Sequence, residues 1–189
     1  MRAYKVFLRA PLTSKFGLFV IGLYAFVAIA APVLAPYGET AIVGGQYEPW
    51  SSEFLLGTDS IGRDMLTRLI FGARNTVGIA FVITVLAFVI GGFTGMVAAT
   101  MGGWIDQILS RIVDVLMAIP GLVFVLLVLA FFGTAIPVLI VVVAIFESTR
   151  VFRLTRAVSM NVEVMDYVEI AKIRGESTWW IVWSEILPN

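Results

Sequence analysis

The sequence predicts an all-α membrane protein, a bundle of helices that crosses a lipid bilayer several times. Hydrophobic residues make up 60% of the 189 residues and charged residues only 14%, against about 25% charged residues in a typical soluble domain. Several apolar runs approach the roughly 20 residues that a helix needs to cross the hydrocarbon. Short polar segments separate these runs, as loops separate spans. We therefore expect a polytopic helical bundle with four spans in this chain.

The first predicted span is the apolar run of 20 residues at positions 16–35. It follows a basic N-terminal segment, residues 1–15, which holds no acidic residue. The basic residues of this segment are Arg2, Lys5, Arg9 and Lys15. A basic segment before an apolar run also fits a secretory signal peptide, but the apolar core of a signal peptide is only about 7–15 residues long. The length of the run therefore favours an uncleaved helix.

Residues 36–75 are more polar and are predicted to form an external loop. The second half of this loop, residues 64–74, places Met65, Leu69 and Gly72 at helical spacing. Such spacing indicates a short helix lying at the membrane interface. A solvated loop is the alternative, because amphipathic spacing alone is a weak signal.

The second predicted span covers residues 76–100. Gly91 and Gly95 lie one helical turn apart near its end. Small residues at this spacing let two helices approach closely in lipid. Ordinary packing against another helix of the same chain is favoured here over a role specific to a substrate.

The third predicted span follows a tight turn at residues 101–104. In its polar first half, Arg111 lies three residues before Asp114, so an ion pair between them is expected. Pro120 and Gly121 interrupt the helix. In a membrane, the backbone groups that a proline leaves free are tolerated where protein or a cavity surrounds them. The kink therefore either shapes a translocation path or is purely structural.

The fourth predicted span, residues 135–149, has only 15 residues. This is short against the roughly 17–25 expected of a membrane helix, so we expect the helix to continue beyond one end. Arg150, Arg153 and Arg156 follow as a basic stripe. For this stripe, membrane orientation by positive charge is favoured over phosphate binding.

The distribution of Lys and Arg orients the chain. With the N-terminus in the cytoplasm and four alternating spans, the inner segments hold ten basic residues and the outer loops hold three. This bias obeys the positive-inside rule. The N-terminus and the segment after the fourth span are therefore expected in the cytoplasm.

The C-terminal segment, about residues 160–189, is predicted to present a docking element. Val164, Val168, Ala171 and Gly175 fall on one helical face, and their side chains shrink along the chain. Such a face lets another surface approach the backbone closely. Gly175 is expected to end this helix, and Ser177 is expected to cap the next one.

The composition excludes several classes of function. The chain has no His and no Cys, which removes zinc sites built on those residues and Ser-His-Asp or Cys-His catalytic groups. Thirteen basic and thirteen acidic residues give no net charge, which argues against nucleic-acid binding. No P-loop motif occurs, so any ATP is hydrolysed elsewhere. The chain is thus expected to be neither an enzyme nor the holder of a cofactor.

One motif in the C-terminal segment resembles the cytoplasmic loop of the membrane subunits of bacterial ABC importers. In that family the pattern is E-A-A…G…I-x-L-P, and the loop forms a coupling helix that sits in a groove of the ATPase subunit. The matching positions are Glu169, Ile170, Ala171, Gly175, Ile186, Leu187 and Pro188. Ile170 departs from the pattern, where Ala is usual. The resemblance implies that Glu169, Ala171 and Gly175 are the ATPase-coupling residues.

A second motif, in the external loop, resembles the L-G-T-D-x-x-G-R-D…S-R…G-A-R segment of the dipeptide, oligopeptide and nickel permeases within the same family. Its residues here are Gly57, Thr58, Asp59, Gly62, Arg63, Asp64, Arg68 and Arg74. Residues 104–120 resemble the next segment of those subunits. The two motifs occur in the order that the family has.

This resemblance implies a transmembrane permease subunit of an ATP-driven ABC importer in the bacterial inner membrane. Residues 76–189 would form the permease core, with three of the four spans and the coupling loop. The implied partners are ABC ATPase subunits that bind ATP and magnesium, a homologous second permease subunit, an extracytoplasmic substrate-binding protein and the lipid bilayer. Family members have six spans, so a chain that stops at Asn189 looks truncated.

Peptides and nickel are the two substrate classes that the resemblance leaves open, and di- or oligopeptides are favoured. The alternatives are a nickel importer permease and a truncated membrane interaction protein that does not transport. A secondary transporter would bury ionisable groups in mid-membrane. The second, third and fourth predicted spans lack such groups at their centres.

Overall fold

Helices form nearly all of the regular structure of this chain. The computed structural model describes residues 11–186. Within that range the helices are α1 (Leu12–Leu34), α2 (Met65–Met101), α3 (Gly103–Ala118), α4 (Gly121–Phe132), α5 (Ile136–Glu163), α6 (Asp166–Ile173) and α7 (Thr178–Ile181), followed by a wide π-helical turn, Val182–Ile186. The β-type pairing in that range consists of one isolated antiparallel bridge between Thr58 and Asp64. The all-α prediction is confirmed for this part of the chain.

Some predicted features lie outside the described residues. They are the basic residues Arg2, Lys5 and Arg9 and the motif residues Leu187 and Pro188.

The chain divides into two compact units. The first ends at Ala80 and the second begins at Phe81, whereas the sequence placed the domain boundary between residues 75 and 76. The first unit contains α1 and the loop of residues 35–64, and the second contains α3 to α7. Helix α2 runs through the boundary.

Two helices in the described range, α1 and α2, have the length and hydropathy of membrane spans. Helices α3 and α4 meet at 93°, and they count as a third span only if the bent pair is taken together. Helix α5 holds the fourth predicted span. Glu147, Arg150 and Arg153 lie within or just after its apolar stretch. The four-span arrangement therefore stays a prediction.

Helix α2 joins two elements that the sequence separated. Residues 65–74 are helical, as predicted, so a solvated loop is the wrong alternative for them. The helix then continues through the predicted second span to Met101. The physical reason is that the sequence between Arg74 and Val77 contains neither proline nor glycine, so nothing there stops a helix.

The two glycines of α2 lie directly against the backbone of α5. A Cβ atom on Gly91 would overlap the Ser148 carbonyl oxygen, and a Cβ atom on Gly95 would lie 2.8 Å from the Phe152 carbonyl oxygen. Real Cβ atoms do not approach that closely, so only glycine permits this contact. The predicted packing against a helix of the same chain is confirmed.

Helix α3 is held to α5 by a small apolar cluster and two ion pairs. Ala98, Val113 and Phe152 are buried together. Beside them Arg156 donates to Asp106 with 2.6 Å between Nη2 and Oδ2. Eight residues further along α3, Asp114 forms a second Asp–Arg pair with α5.

That second pair joins Arg153 Nη2 to Asp114 Oδ1 at 2.9 Å. The prediction of an Arg111–Asp114 pair is wrong for this structure. A same-helix pair on an exposed surface contributes only about 0.2–0.5 kcal/mol. Asp114 pairs with Arg153 instead, because the packing of α3 against α5 places that arginine opposite its carboxylate.

The predicted interruption at Pro120 is confirmed. Helix α3 ends at Ala118, and α4 starts at Gly121 after the 93° bend. A Cβ atom on Gly121 would lie 2.7 Å from Cε1 of Phe146, and the rings of Phe124 and Phe146 stack with centroids 5.6 Å apart. The bend is therefore packed onto α5.

Gly91→Ala should destabilise the protein. The added methyl group must displace the α5 backbone at Ser148, and overpacking of this kind costs about 1–3 kcal/mol. Thermal unfolding of the purified protein in detergent measures the effect.

Gly92→Ala is the matched control, because a Cβ atom on the adjacent residue meets nothing within 4 Å. Alanine in place of a helical glycine should there be neutral or stabilising by about 0.5–1 kcal/mol. Equal effects of the two substitutions would contradict the close contact between α2 and α5.

Candidate functional site

The loop motif is organised around the Asp59 carboxylate. It accepts hydrogen bonds from the backbone N–H groups of Ile61 at 2.9 Å and Arg63 at 3.0 Å. It also accepts from Arg63 Nε at 2.8 Å and from Arg68 Nη1 at 3.2 Å. Desolvation by itself would raise the pKa of Asp59, but the backbone N–H groups of Arg63 and Ile61 and the Arg63 guanidinium outweigh it and hold the pKa below the ordinary value. Asp59 is therefore ionised at neutral pH.

Thr58 joins the motif to the first half of the loop. Its hydroxyl donates to the Gly45 carbonyl oxygen at 2.7 Å and accepts from the Glu48 N–H at 2.8 Å. The backbone N–H of Thr58 donates to the Glu48 carbonyl oxygen at 3.1 Å. The threonine is buried, whereas its partners Gly45 and Glu48 are exposed, so it anchors the outer half of the loop from the inside.

Gly57 and Gly62 allow the two halves of the loop to meet. Both have positive φ angles, 74° and 81°. A Cβ atom on Gly57 would overlap the Glu48 carbonyl oxygen, and one on Gly62 would overlap the Gly44 carbonyl oxygen. Residues with a side chain are excluded at both positions by conformation and by space.

Asp64 starts helix α2. Its carboxylate accepts from the backbone N–H of Thr67 at 2.7 Å, which is the bond that an N-terminal cap makes. Asp64 is buried, whereas Arg74 is exposed on α2 beyond the loop. Seven of the eight predicted motif residues thus take part in holding the loop or starting the helix.

The C-terminal element has a buried face and an exposed face. Val168 and Ala171 of α6 are buried against Ile181 of α7, with Val162 packed beside them. This face carries the small residues that the sequence assigned to close approach by a partner. In the described residues, these side chains instead attach α6 to the rest of the second unit.

The exposed face of α6 carries three large apolar side chains, with the acidic residue Asp166 in the first turn of the same face. Tyr167, Ile170 and Ile173 lie at i, i+3 and i+6, and their exposed fractions are 39%, 55% and 79%. Glu169 is exposed beside them. Large exposed apolar side chains on a short helix are typical of a surface that binds a partner.

The ends of α6 are set as predicted. Gly175 follows the helix with φ +78°, and its N–H donates to the Lys172 carbonyl oxygen at 3.0 Å. Ser177 caps α7, because its hydroxyl accepts from the Trp180 N–H at 3.2 Å. An ion pair of 2.9 Å between Lys172 and Glu163 ties α6 to the end of α5.

The second half of the chain matches a known protein family. A model of the family described as binding-protein-dependent transport system inner membrane component matches residues 91–189, more than half of the chain. The chain belongs to this family. The match includes the whole of α6, and it begins after the loop motif of residues 57–64.

Curated relatives of this inner membrane component extend the likeness to the loop. A dipeptide transport system permease protein of Haemophilus influenzae is 33% identical over 92% of this chain and 61% of its own length. A glutathione transport system permease protein of Pectobacterium atrosepticum is 34% identical over 98% and 62%. A peptide transport system permease protein of Escherichia coli is 35% identical over 90% and 62%. The chain thus spans 61–62% of the length of these relatives.

Sequence reasoning missed the partners of both motifs. The hydrogen bonds that hold the loop are made with Gly44, Gly45 and Glu48. These residues precede the motif by nine residues or more and contribute mainly backbone atoms, which no sequence pattern reveals. Ile181 lies within a Trp-rich run, and Trp-rich runs usually indicate a membrane interface. Its burial against α6 follows only from the fold.

Gly62→Ala should destabilise the loop. Alanine at a positive φ, facing a carbonyl oxygen, adds strain of about 1–3 kcal/mol. Hydrogen exchange of the loop amides and thermal unfolding measure the loss.

Gly72→Ala serves as the control within the same unit, since a Cβ atom there meets nothing within 4 Å and the backbone is helical. If both alanines leave the loop amides equally protected, the proposed packing of the motif is wrong.

Proposed function

We propose that this chain is a permease subunit of an ATP-driven ABC importer for di- or oligopeptides. Membership of the inner-membrane-component family supports the transport role. The relatives described above are named for dipeptides, glutathione and peptides, which supports peptides over nickel. ATP and magnesium would be bound by partner ATPase subunits, and this chain would carry the path and the coupling surface.

The exposed apolar face of α6 carries the coupling proposal. Tyr167, Ile170 and Ile173 offer the kind of surface that docks into a hydrophobic groove. Glu169 supplies a charged contact at its edge. Ala171 lies on the opposite, buried face and would support the surface by packing α6 onto its own unit. Gly175 would support it by ending the helix in a left-handed conformation.

Movement of α6 has a direct route into the membrane helices. The buried Val168–Ala171 face and the Lys172–Glu163 ion pair attach α6 to α7 and α5. Helix α5 in turn contacts α2 at the glycines and α3 at the Asp–Arg pairs. A displacement of α6 by an ATPase subunit would therefore shift packed helices rather than a loose loop.

The remaining partners and the orientation follow from the proposed family role. A homologous second permease subunit would complete the translocation path, and an extracytoplasmic binding protein would deliver the peptide. The N-terminus would lie in the cytoplasm of the bacterial inner membrane, with four spans in this chain. The ten-to-three bias of basic residues supports this orientation.

Single cysteines should report this orientation, since the chain has no native Cys. Ser52→Cys in the external loop should react with a membrane-impermeant thiol reagent in intact cells. Asn161→Cys near the end of α5 should react only after the cells are opened. Both native side chains are exposed, so burial does not limit either reaction.

Labelling of Asn161→Cys but not of Ser52→Cys in intact cells would reverse the proposed topology. Denatured samples provide the control for equal total reactivity of the two cysteines.

Ile170→Asp should disrupt docking of the ATPase subunit. The aspartate carboxylate would be desolvated in the apolar contact with no partner for its charge. Loss of a central contact of this kind weakens binding by about tenfold or more. Glu169→Ala should weaken binding less, because an exposed charge at the rim of an interface contributes less than a buried contact. Co-purification of the ATPase subunit and uptake of a radiolabelled dipeptide are measured in the full permease.

Met160→Asp is the matched control, because Met160 is a similarly exposed apolar residue on α5. Retained co-purification with Ile170→Asp would refute the coupling surface. Failure of the unaltered complex to take up any dipeptide would refute the peptide importer, and uptake of Ni²⁺ instead would identify the alternative substrate.

A further inference from the structure

The break between α3 and α4 opens a cleft in the second unit. Its volume is about 640 Å³, within the roughly 300–1,000 Å³ of small-molecule sites. The cleft lies between the bend at Pro120 and the middle of α5. The Phe124–Phe146 stack and the contact of Gly121 with Phe146 hold the two sides at a fixed separation.

The walls of this cleft are apolar except at one end. Met117, Leu122, Val125 and Val143 contribute apolar side chains. The ionisable residues that line it are Glu147 and Arg150. One acid and one base thus lie together on a mostly apolar surface.

Arg150 differs from the other two arginines of the basic stripe. Arg153 and Arg156 bind carboxylates of α3 at 2.9 Å and 2.6 Å. Arg150 lies 3.5 Å from Glu147 on its own helix, and its side chain is 69% exposed. Two of the three arginines are therefore committed to helix packing, while the guanidinium of Arg150 still has open hydrogen-bonding directions.

We propose that this cleft binds the peptide during its passage, with Arg150 on the peptide carboxylate and Glu147 on the peptide ammonium group. This inference rests on the proposed function and adds the contact residues to it. A free peptide carries one negative and one positive terminus. The Glu147–Arg150 pair presents the complementary charges side by side.

On binding a peptide, Arg150 and Glu147 would each exchange the other for a peptide terminus, and their 3.5 Å separation makes this exchange easy. A guanidinium binds a carboxylate through two parallel hydrogen bonds, a better geometry than its present contact with Glu147. The carboxylate of Glu147 is released at the same step and takes the ammonium group. The net charge of the cleft stays at zero, so neither charge is left unpaired in a partly apolar site.

The apolar walls of the cleft should give little selectivity for the side chains of a bound peptide. They offer few directional groups to a peptide side chain, because the Thr149 hydroxyl already donates to the Phe146 carbonyl oxygen at 2.7 Å. The site should therefore recognise the termini and tolerate many side chains. A short peptide with two free ends is the substrate class that it fits.

Protection of a cysteine in the cleft tests this proposal. Leu122 lines the cleft and is 74% exposed, so Leu122→Cys should react with a membrane-permeant maleimide. Addition of alanyl-phenylalanine to the full permease complex should slow this reaction. Leu154→Cys is the matched control, because Leu154 is 66% exposed on α5 outside the cleft; its reaction rate should not change.

The termini are tested separately. In an Arg150→Gln background, the same protection should require about tenfold more dipeptide, since a charge-assisted hydrogen bond is lost. The C-terminal amide of the dipeptide should protect equally poorly in both backgrounds. Glu147→Gln should lower protection by the free dipeptide and leave protection by its N-acetyl derivative unchanged.

Several outcomes would overturn the proposal. They are dipeptide uptake without protection of Leu122→Cys, protection that is insensitive to Arg150→Gln, and equal protection of Leu154→Cys. Slow reaction of Leu122→Cys regardless of peptide would show that lipid or a partner helix fills the cleft, which also contradicts the proposal. Dipeptide uptake by the unaltered complex is measured in parallel, so failure of the importer function is distinguished from failure of this site.

Discussion

The direct contact between the glycines of α2 and the backbone of α5 is the constraint on which the second unit depends. Gly91 and Gly95 remove the side-chain layer, so the helices meet at Ser148 and Phe152. In lipid, close packing of this kind replaces the hydrophobic effect as the force between helices. Phe152 also packs with Val113 of α3, so the same stretch of α5 fixes both neighbours.

The sequence predicted those features that depend on local chemistry. Glycine spacing predicted the contact at Gly91 and Gly95, Pro120 predicted the bend, and Gly175 and Ser177 predicted the ends of α6 and α7. Pro120, Gly175 and Ser177 act through their own backbone conformation or through a neighbour within a few positions, so packing does not compete with them. Gly91 and Gly95 act at long range, but the absence of a side chain is itself a property of the residue.

Long-range choices were not predictable in the same way. Asp114 had one possible partner on its own helix and found another on α5, because only the packed structure brings Arg153 opposite it. Ala171 had the size expected of an external contact, yet it is buried against Ile181. Small size indicates close approach, but it does not say which surface approaches.

Helix α3 lies between two joints, which are breaks in the helical backbone. At one end Gly102 and Gly103 adopt positive φ angles of 55° and 54°, and at the other the chain turns by 93° at Pro120. Between the joints, two arginines clamp the helix to α5. The bend at Pro120 is packed onto α5 through Phe146, whereas Gly102 and Gly103 have open space around them. We therefore expect α3 to move together with α5, with the change in backbone angle falling at the two glycines.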